Sequence, residues 1–185
     1  MEFIKRLKIS KKVQKYLIKS MIVLFLIMIT MFFTKTIISI AVSIILMTIG
    51  IISTLYKKVI NLPIGFELTT FVTIIFAFAH SPLTAFIASI IMTIAGAALI
   101  NRICIPVMIK IVVYGIVCSV ALFFDPEQIR AGGKILVILF NILLHATYVF
   151  IFRFKIENSV ISFILNIILN IFLIDRLGEL LVGML

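Results

Sequence analysis

The stretch LPIGFELTTFVTIIFAFAHSPLTAFIASIIMTIAGAALI, from Leu62 to Ile100, decides the fold of this chain. It opens on a polar-bearing lead-in that ends near Glu67 and runs through an apolar segment carrying Thr69, Thr70 and Thr73. It then turns at His80-Ser81-Pro82 and leaves through a second apolar segment. A proline restricts the residue before it to extended geometry and cannot continue a helix cleanly, so Ser81-Pro82 predicts two helices meeting at a tight corner. On the second helix Ser81, Ala85, Ser89, Thr93 and Ala97 recur at every fourth position and form one ridge. In lipid, where apolar surface gives no drive for helices to associate, small side chains allow close backbone approach, so this ridge predicts a packed face.

Composition sets the solvent. The chain has 185 residues, 64% hydrophobic and 13% charged, with a mean hydropathy of +1.36. A soluble domain carries roughly 45–50% apolar and about 25% charged residues. Repeated apolar runs near the roughly 20 residues needed to cross a bilayer support the same conclusion, an integral membrane protein. The length accommodates one all-α polytopic transmembrane helical bundle of six or seven spans with short connections, so any binding chemistry lies among the helices or at their ends. The net charge of +10 is read as orientation signal in loops and flanks and not as a nucleic-acid surface. Cys104 and Cys118 fall on one predicted helix about 21 Å apart, too far to pair or to share a metal. No metal and no cofactor is predicted. No nucleotide-binding loop is present either, so any ATP use belongs to another subunit.

Taken in order, Met1 to Lys19 carries Lys5, Arg6, Lys8, Lys11, Lys12, Lys15 and Lys19 between apolar residues. This predicts a basic amphipathic helix on the lipids of an anionic inner leaflet. No small-x-small cleavage site follows the apolar run MIVLFLIMITMFF, so the segment is expected to stay on the protein. Only Lys35 separates Met21–Thr34 from Ile37–Tyr56, which leaves a tight hairpin or one bent unit open. The division is therefore 1–35, a basic segment with a short apolar hairpin arm, and 36–185, the transmembrane bundle. Beyond the central stretch come an Asn101-Arg102 turn, an apolar run Ile103–Phe124 with Pro106 in its first turn, and a loop at Asp125–Lys134, DPEQIRAGGK. Spans at Ile135–Phe152 and Asn158–Ile174 follow, then a short amphipathic tail at Asp175–Leu185. With the N-terminus cytoplasmic in the cell membrane, Lys57 and Lys58, Arg102 with Lys110, and Arg153 with Lys155 all fall inside, and the Asp125–Lys134 loop falls outside.

Two spans carry polar residues at helical spacing. Asn141, His145 and Tyr148 make one face, and Asn158, Ser162, Asn166 and Asn170 make another. Polar groups in a span face another helix or a cavity. They either bond across helices, at about 0.6 kcal/mol per contact, or supply the few convergent polar groups that an apolar ligand pocket needs. Glu67 has three readings: solvated at the interface, capping the next helix, or lining the mouth of a ligand cavity. The predicted site places Glu67 and Thr70 at the mouth and Asn141, His145, Tyr148, Asn166 and Asn170 deeper. His80 reads as an interfacial turn residue.

Over GFELTTFVTIIFAFAHSPLTAFIASIIMTIAG the chain resembles the membrane-embedded substrate-binding (S) components of energy-coupling factor transporters. Glu67, Ser81-Pro82 and the Ala/Ser ridge occupy the places of that family's acid-containing lead-in, corner and small-residue span. The resemblance implies a six-helix bundle that captures a vitamin or metal-related small molecule and delivers it by docking on a coupling subunit driven by two ATPases. Ser39-x-x-x-Ser43 is the nearest pair to the family's Ala-x-x-x-Ala docking motif, and Ala85, Ser89, Thr93 and Ala97 are the further partner-docking candidates. The layout is also similar to the rod-shape-determining MreD proteins, small scaffolds that bind no substrate and recruit other membrane proteins. An enzyme is not predicted. Small membrane cysteine peptidases place a Cys shortly after a His on one segment, whereas Ile87 stands two turns after His80 and Cys104 lies beyond another turn.

Overall fold

The computed structural model describes residues 11–55, 67–101, 104–153 and 156–185. Regular structure among them is entirely helical: α1 (Lys11–Ile52), α2 (Thr69–Ala79), α3 (Pro82–Leu99), α4 (Ile105–Ala121), a 3-10 turn at Pro126–Gln128, α5 (Ile129–Phe150) and α6 (Ile156–Met184). The chain divides into two units, one ending at Ser39 and one from Ile40 to Leu185. The helices from α2 onward belong to the second.

Four stretches are long and apolar enough to cross a membrane, Phe33–Ile52, Pro82–Leu99, Pro126–Phe150 and Val160–Met184, and they mark this as a membrane protein. The remaining two helices, α2 and α4, are apolar but shorter. At 11 residues, α2 is about 16 Å long, roughly half the hydrocarbon thickness of a bilayer. Its sequence is apolar all round, as a helix buried on every side requires. It packs against α3, α4, α5 and α6, and only Ala77 and Ala79 of its residues escape full burial. Val72, Ile75, Met92, Tyr114, Leu136, Phe140 and Ile174 close the core around it. The outward faces of α3, α4, α5 and α6 carry exposed Ile, Leu, Val and Phe, the surface that lipid solvates.

The corner forms as its sequence predicts. Ser81 is extended (φ −165°) and its Oγ accepts a hydrogen bond from the Thr84 N–H at 3.1 Å. Pro82 occupies the start of α3, where a missing N–H costs nothing. Pro106 plays the same part in α4. The start of α2 is sewn to the end of α1: the Leu68 N–H donates to Ser53 Oγ at 3.0 Å, and Thr69 Oγ1 donates to the Gly50 carbonyl at 3.2 Å. One otherwise orphaned donor of a helix start is thereby satisfied.

Three expectations change. First, α1 runs without interruption through Lys35, so the hairpin turn that a seven-span count needs there is not formed. Second, the loop expected over Asp125–Lys134 shortens to a 3-10 turn, with the Asp125 N–H bonded to Gln128 Oε1 at 3.4 Å and α5 beginning at Ile129. Gly132 and Gly133 lie inside that helix. A Cβ on Gly132 would come within 2.8 Å of the Phe124 ring and 2.9 Å of Phe78, so the glycine serves close packing and not a turn. Third, Asp175–Leu185 is no separate tail but the continuation of α6, held to the start of α5 by the ion pairs Arg130–Glu179 and Lys134–Asp175. The segment Met1–Ser10, the lead-in Leu62–Phe66 and the charges Lys57, Lys58, Arg102 and Lys155 lie outside the described residues, as does the side chain of Asn158.

Because two aromatic rings fill the space at Gly132, Gly132→Ala is expected to destabilise the protein by roughly 1–3 kcal/mol through overpacking. Gly183→Ala, where nothing stands within 4 Å, should be neutral. Thermal unfolding of both variants in the same detergent checks the contrast.

Candidate functional site

The site begins where α2 starts. Glu67, immediately ahead of that helix, is 7% exposed, and Lys110 in the second turn of α4 is 8% exposed. The two form an ion pair. One rung further, Thr70 Oγ1 and the Tyr114 hydroxyl are 3.2 Å apart, and the Tyr114 ring stacks on Phe140 with centroids at 4.5 Å. The rungs join Glu67, ahead of α2, and Thr70, in its first turn, to Lys110 and Tyr114, four apart on α4, so the two helices run in the same direction. Removing two charges from water costs several kcal/mol per ion, which only close mutual pairing offsets.

A seam of amides continues from this pair across α6 into α5. The Asn170 side-chain N–H groups donate to the Asn166 carbonyl at 2.7 Å and to Asn166 Oδ1 at 2.5 Å, and reach the Glu67 carbonyl at 3.5 Å. Asn166 Nδ2 donates to Asn141 Oδ1 at 2.9 Å, and Asn141 Nδ2 donates to the Val137 carbonyl at 2.8 Å. His145 continues the line. Its Nδ1 lies 2.9 Å from the Asn141 carbonyl, and since a carbonyl only accepts, the proton sits on Nδ1. One buried atom of the seam is left over: Asn170 Oδ1 has no hydrogen-bond partner among the described residues. Rotating that amide would not relieve it, because its oxygen would then face the two Asn166 oxygens.

Glu67, Thr70, Asn141, Asn166 and Asn170 are therefore brought together in the buried interior. His145 is half-buried at the end of the seam, edge-on to Phe163 at 5.2 Å. Tyr148 is half-buried beyond it, 6.3 Å from the His145 ring and 6.1 Å from Phe152. Glu67 is neither solvated nor a cap: Leu68 holds the N-cap position without a side-chain bond. Lys110, counted in the sequence with Arg102 among the cytoplasmic charges, lies buried inside the bundle and paired with Glu67. The signal was available in the sequence, since Lys110 is the only charge in the apolar run from Ile103 to Phe124, and intramembrane charges are by default functional.

The proposed docking ridge also changes role. Ala85, Ser89, Thr93 and Ala97 are all buried by the chain's own helices. Beside them, a Cβ on Gly96 would meet Thr54 Oγ1 at 2.7 Å and one on Gly50 would meet Met92 Sδ at 2.6 Å. The small residues let the end of α1 and α3 approach each other. Ser43 faces the corner, with its Oγ 3.4 Å from His80 Nε2. Ser39 closes the other unit. His80 sits in the turn as the C-terminal cap of α2, exposed and 5.6 Å from the Phe76 ring. Among the described residues no three His, Cys, Asp or Glu side chains gather as a metal site would need.

Fold and seam together define a helical membrane protein with a charged, amide-lined centre. No protein-family model, no curated protein and no solved structure matches the chain.

Breaking the ion pair from one side takes a counter-charge away from a buried group. Lys110→Met is expected to cost roughly 3–5 kcal/mol, while Glu67→Gln with Lys110→Met should return to within about 1 kcal/mol of wild type. A double-mutant cycle from SDS unfolding in mixed micelles measures both.

Proposed function

We propose that this chain is the membrane-embedded, substrate-binding component of an uptake system. In this reading it is a multi-pass protein of the cell membrane with a cytoplasmic N-terminus. It takes a small vitamin-like molecule into the seam between α2, α4, α5 and α6 and passes it on through a separate ATP-driven coupling module. It performs no catalysis itself. The observation that carries the reading is the Glu67–Lys110 pair with Asn170 Oδ1, which has no hydrogen-bond partner among the described residues, on the same seam. Such groups are expensive inside a lipid-solvated bundle and serve no packing need that a Leu would not meet. A few convergent polar atoms in an apolar surround are what a small-molecule site needs. The resemblance of Gly65–Gly96 to S components of energy-coupling factor transporters points the same way.

One observation favours a second reading, that of an MreD-like scaffold which binds no substrate and recruits membrane partners. Asn141, Asn166 and Asn170 bond largely to one another, as interhelical fasteners do. The two readings separate on ligand response. The carrier reading expects one compound of a vitamin panel to raise the melting temperature of the purified protein, by about 2.7 kcal/mol of stabilisation at a concentration 100 times Kd. It also expects Asn170→Leu to lose that response while the helical content stays at the wild-type level. A flat panel, with wall-synthesis proteins co-purifying stably, gives the scaffold reading.

A further inference from the structure

We infer that the bundle stands in the membrane with the Glu67–Lys110 end of its seam facing the outside and the His80 corner facing the cytoplasm, the reverse of the placement that the charged loops give when taken one by one. The inference goes beyond the binding reading and needs no ligand. Contacts within the second unit sort the helix ends. The end of α1 meets the start of α2 at Ser53–Leu68 and Gly50–Thr69, and Gly96 of α3 packs on Thr54. Lys110, in the second turn of α4, pairs with Glu67, and Asn170 of α6 reaches the Glu67 carbonyl. The opposite end holds His80 beside Ser43, Phe78 beside Phe124, Gly132 against both of those rings, and the α5–α6 ion pairs Lys134–Asp175 and Arg130–Glu179. Successive helices therefore run in alternate directions, and the short α2 and α4 pass between the same two ends as their longer neighbours.

The basic residues decide which end is inside, because Lys and Arg collect on the cytoplasmic side of a membrane protein while Asp and Glu contribute little. Helix α1 is continuous from Lys11 to Ile52, with no break at which the chain turns back, so it makes one crossing. Seven Lys and Arg from Lys5 to Lys19 precede its apolar part. With alternating helices they share a side with the corner end, where Arg130, Lys134 and Arg176 bring the number to ten. At the Glu67 end the chain passes from Leu55 to Glu67, from Asn101 to Cys104 and from Arg153 to Ile156, and the sequence there holds five: Lys57, Lys58, Arg102, Arg153 and Lys155. Lys35 lies within a span and Lys110 within the core, so neither counts. Ten against five puts the corner end in the cytoplasm. The five point inward together with the N-terminus only if the chain turns back near Lys35, and α1 does not. For an uptake component, the charged head of the seam then lies on the side from which solute comes, and the α5–α6 ion pairs lie on the side that a cytoplasmic ATP-driven partner meets.

The native cysteines supply a reporter, since Cys104 is exposed just ahead of α4 and Cys118 is buried. A membrane-impermeant maleimide is applied to right-side-out and to inside-out vesicles containing the full chain. Glu127→Cys in a Cys104→Ser chain reports the other end, and Asn101→Cys and Gln128→Cys in that same chain repeat the two measurements. Cys104 and Asn101→Cys are expected to label in right-side-out vesicles, and Glu127→Cys and Gln128→Cys only in inside-out ones. The reverse pattern overturns the orientation. Labelling of both ends from one side overturns the alternation of the helices with it, and so does a set of reporters that label in detergent but from neither side of the vesicles. The vitamin melting panel is read separately: a flat panel removes the binding reading and leaves the orientation, whereas a reversed labelling pattern leaves the binding reading standing.

Discussion

The arrangement of this bundle turns on a constraint at the head of its shortest well-buried helix. Glu67 and Lys110 are both out of water, and their pairing offsets part of the cost of burying each charge. Their pairing fixes α2 against α4 in a parallel register, which the Thr70–Tyr114 contact repeats one turn on. With that register set, the Asn170 amide meets the Glu67 backbone and the amide seam runs on through Asn166 to Asn141. Shifting α4 by one residue along α2 would turn Lys110 away from Glu67 and break the ion pair.

Around this centre the helices sort by length. The longer ones offer apolar outer faces to lipid, while α2 is enclosed by four neighbours and can be short because it meets so little of the membrane. Close approach is obtained where side chains are smallest. Gly50, Gly96, Ala85 and Ser89 bring α3 to its neighbours, and Gly132 admits Phe124 and Phe78 at the other end of the bundle. The small-residue ridge is thus spent on internal packing.

The centre combines two kinds of polar contact with different consequences. The amide bonds among Asn141, Asn166 and Asn170 are neutral and mutual, and they fasten α5 to α6. The ion pair is different in kind, since it sets opposite full charges from the head of α2 and from α4 against each other in the interior.

The sequence alone determined the class and several local structures. The hydrophobic content and repeated apolar runs require a lipid-solvated helical protein, Ser81-Pro82 requires a corner, and the spacing of Asn166 and Asn170 requires one inward polar face. These are properties of short stretches, set by steric restriction and by helical period. Tertiary structure alone decided which polar groups meet. Lys110 lies 43 positions from Glu67, and a net-charge argument assigns it to a flank because nothing local reveals its partner. Gly132-Gly133 reads as a turn until the rings of Phe124 and Phe78 are seen to occupy the space where a side chain would be. In both cases the deciding energy, desolvation of a charge or exclusion of a methyl group, belongs to contacts between helices, which a linear pattern does not contain.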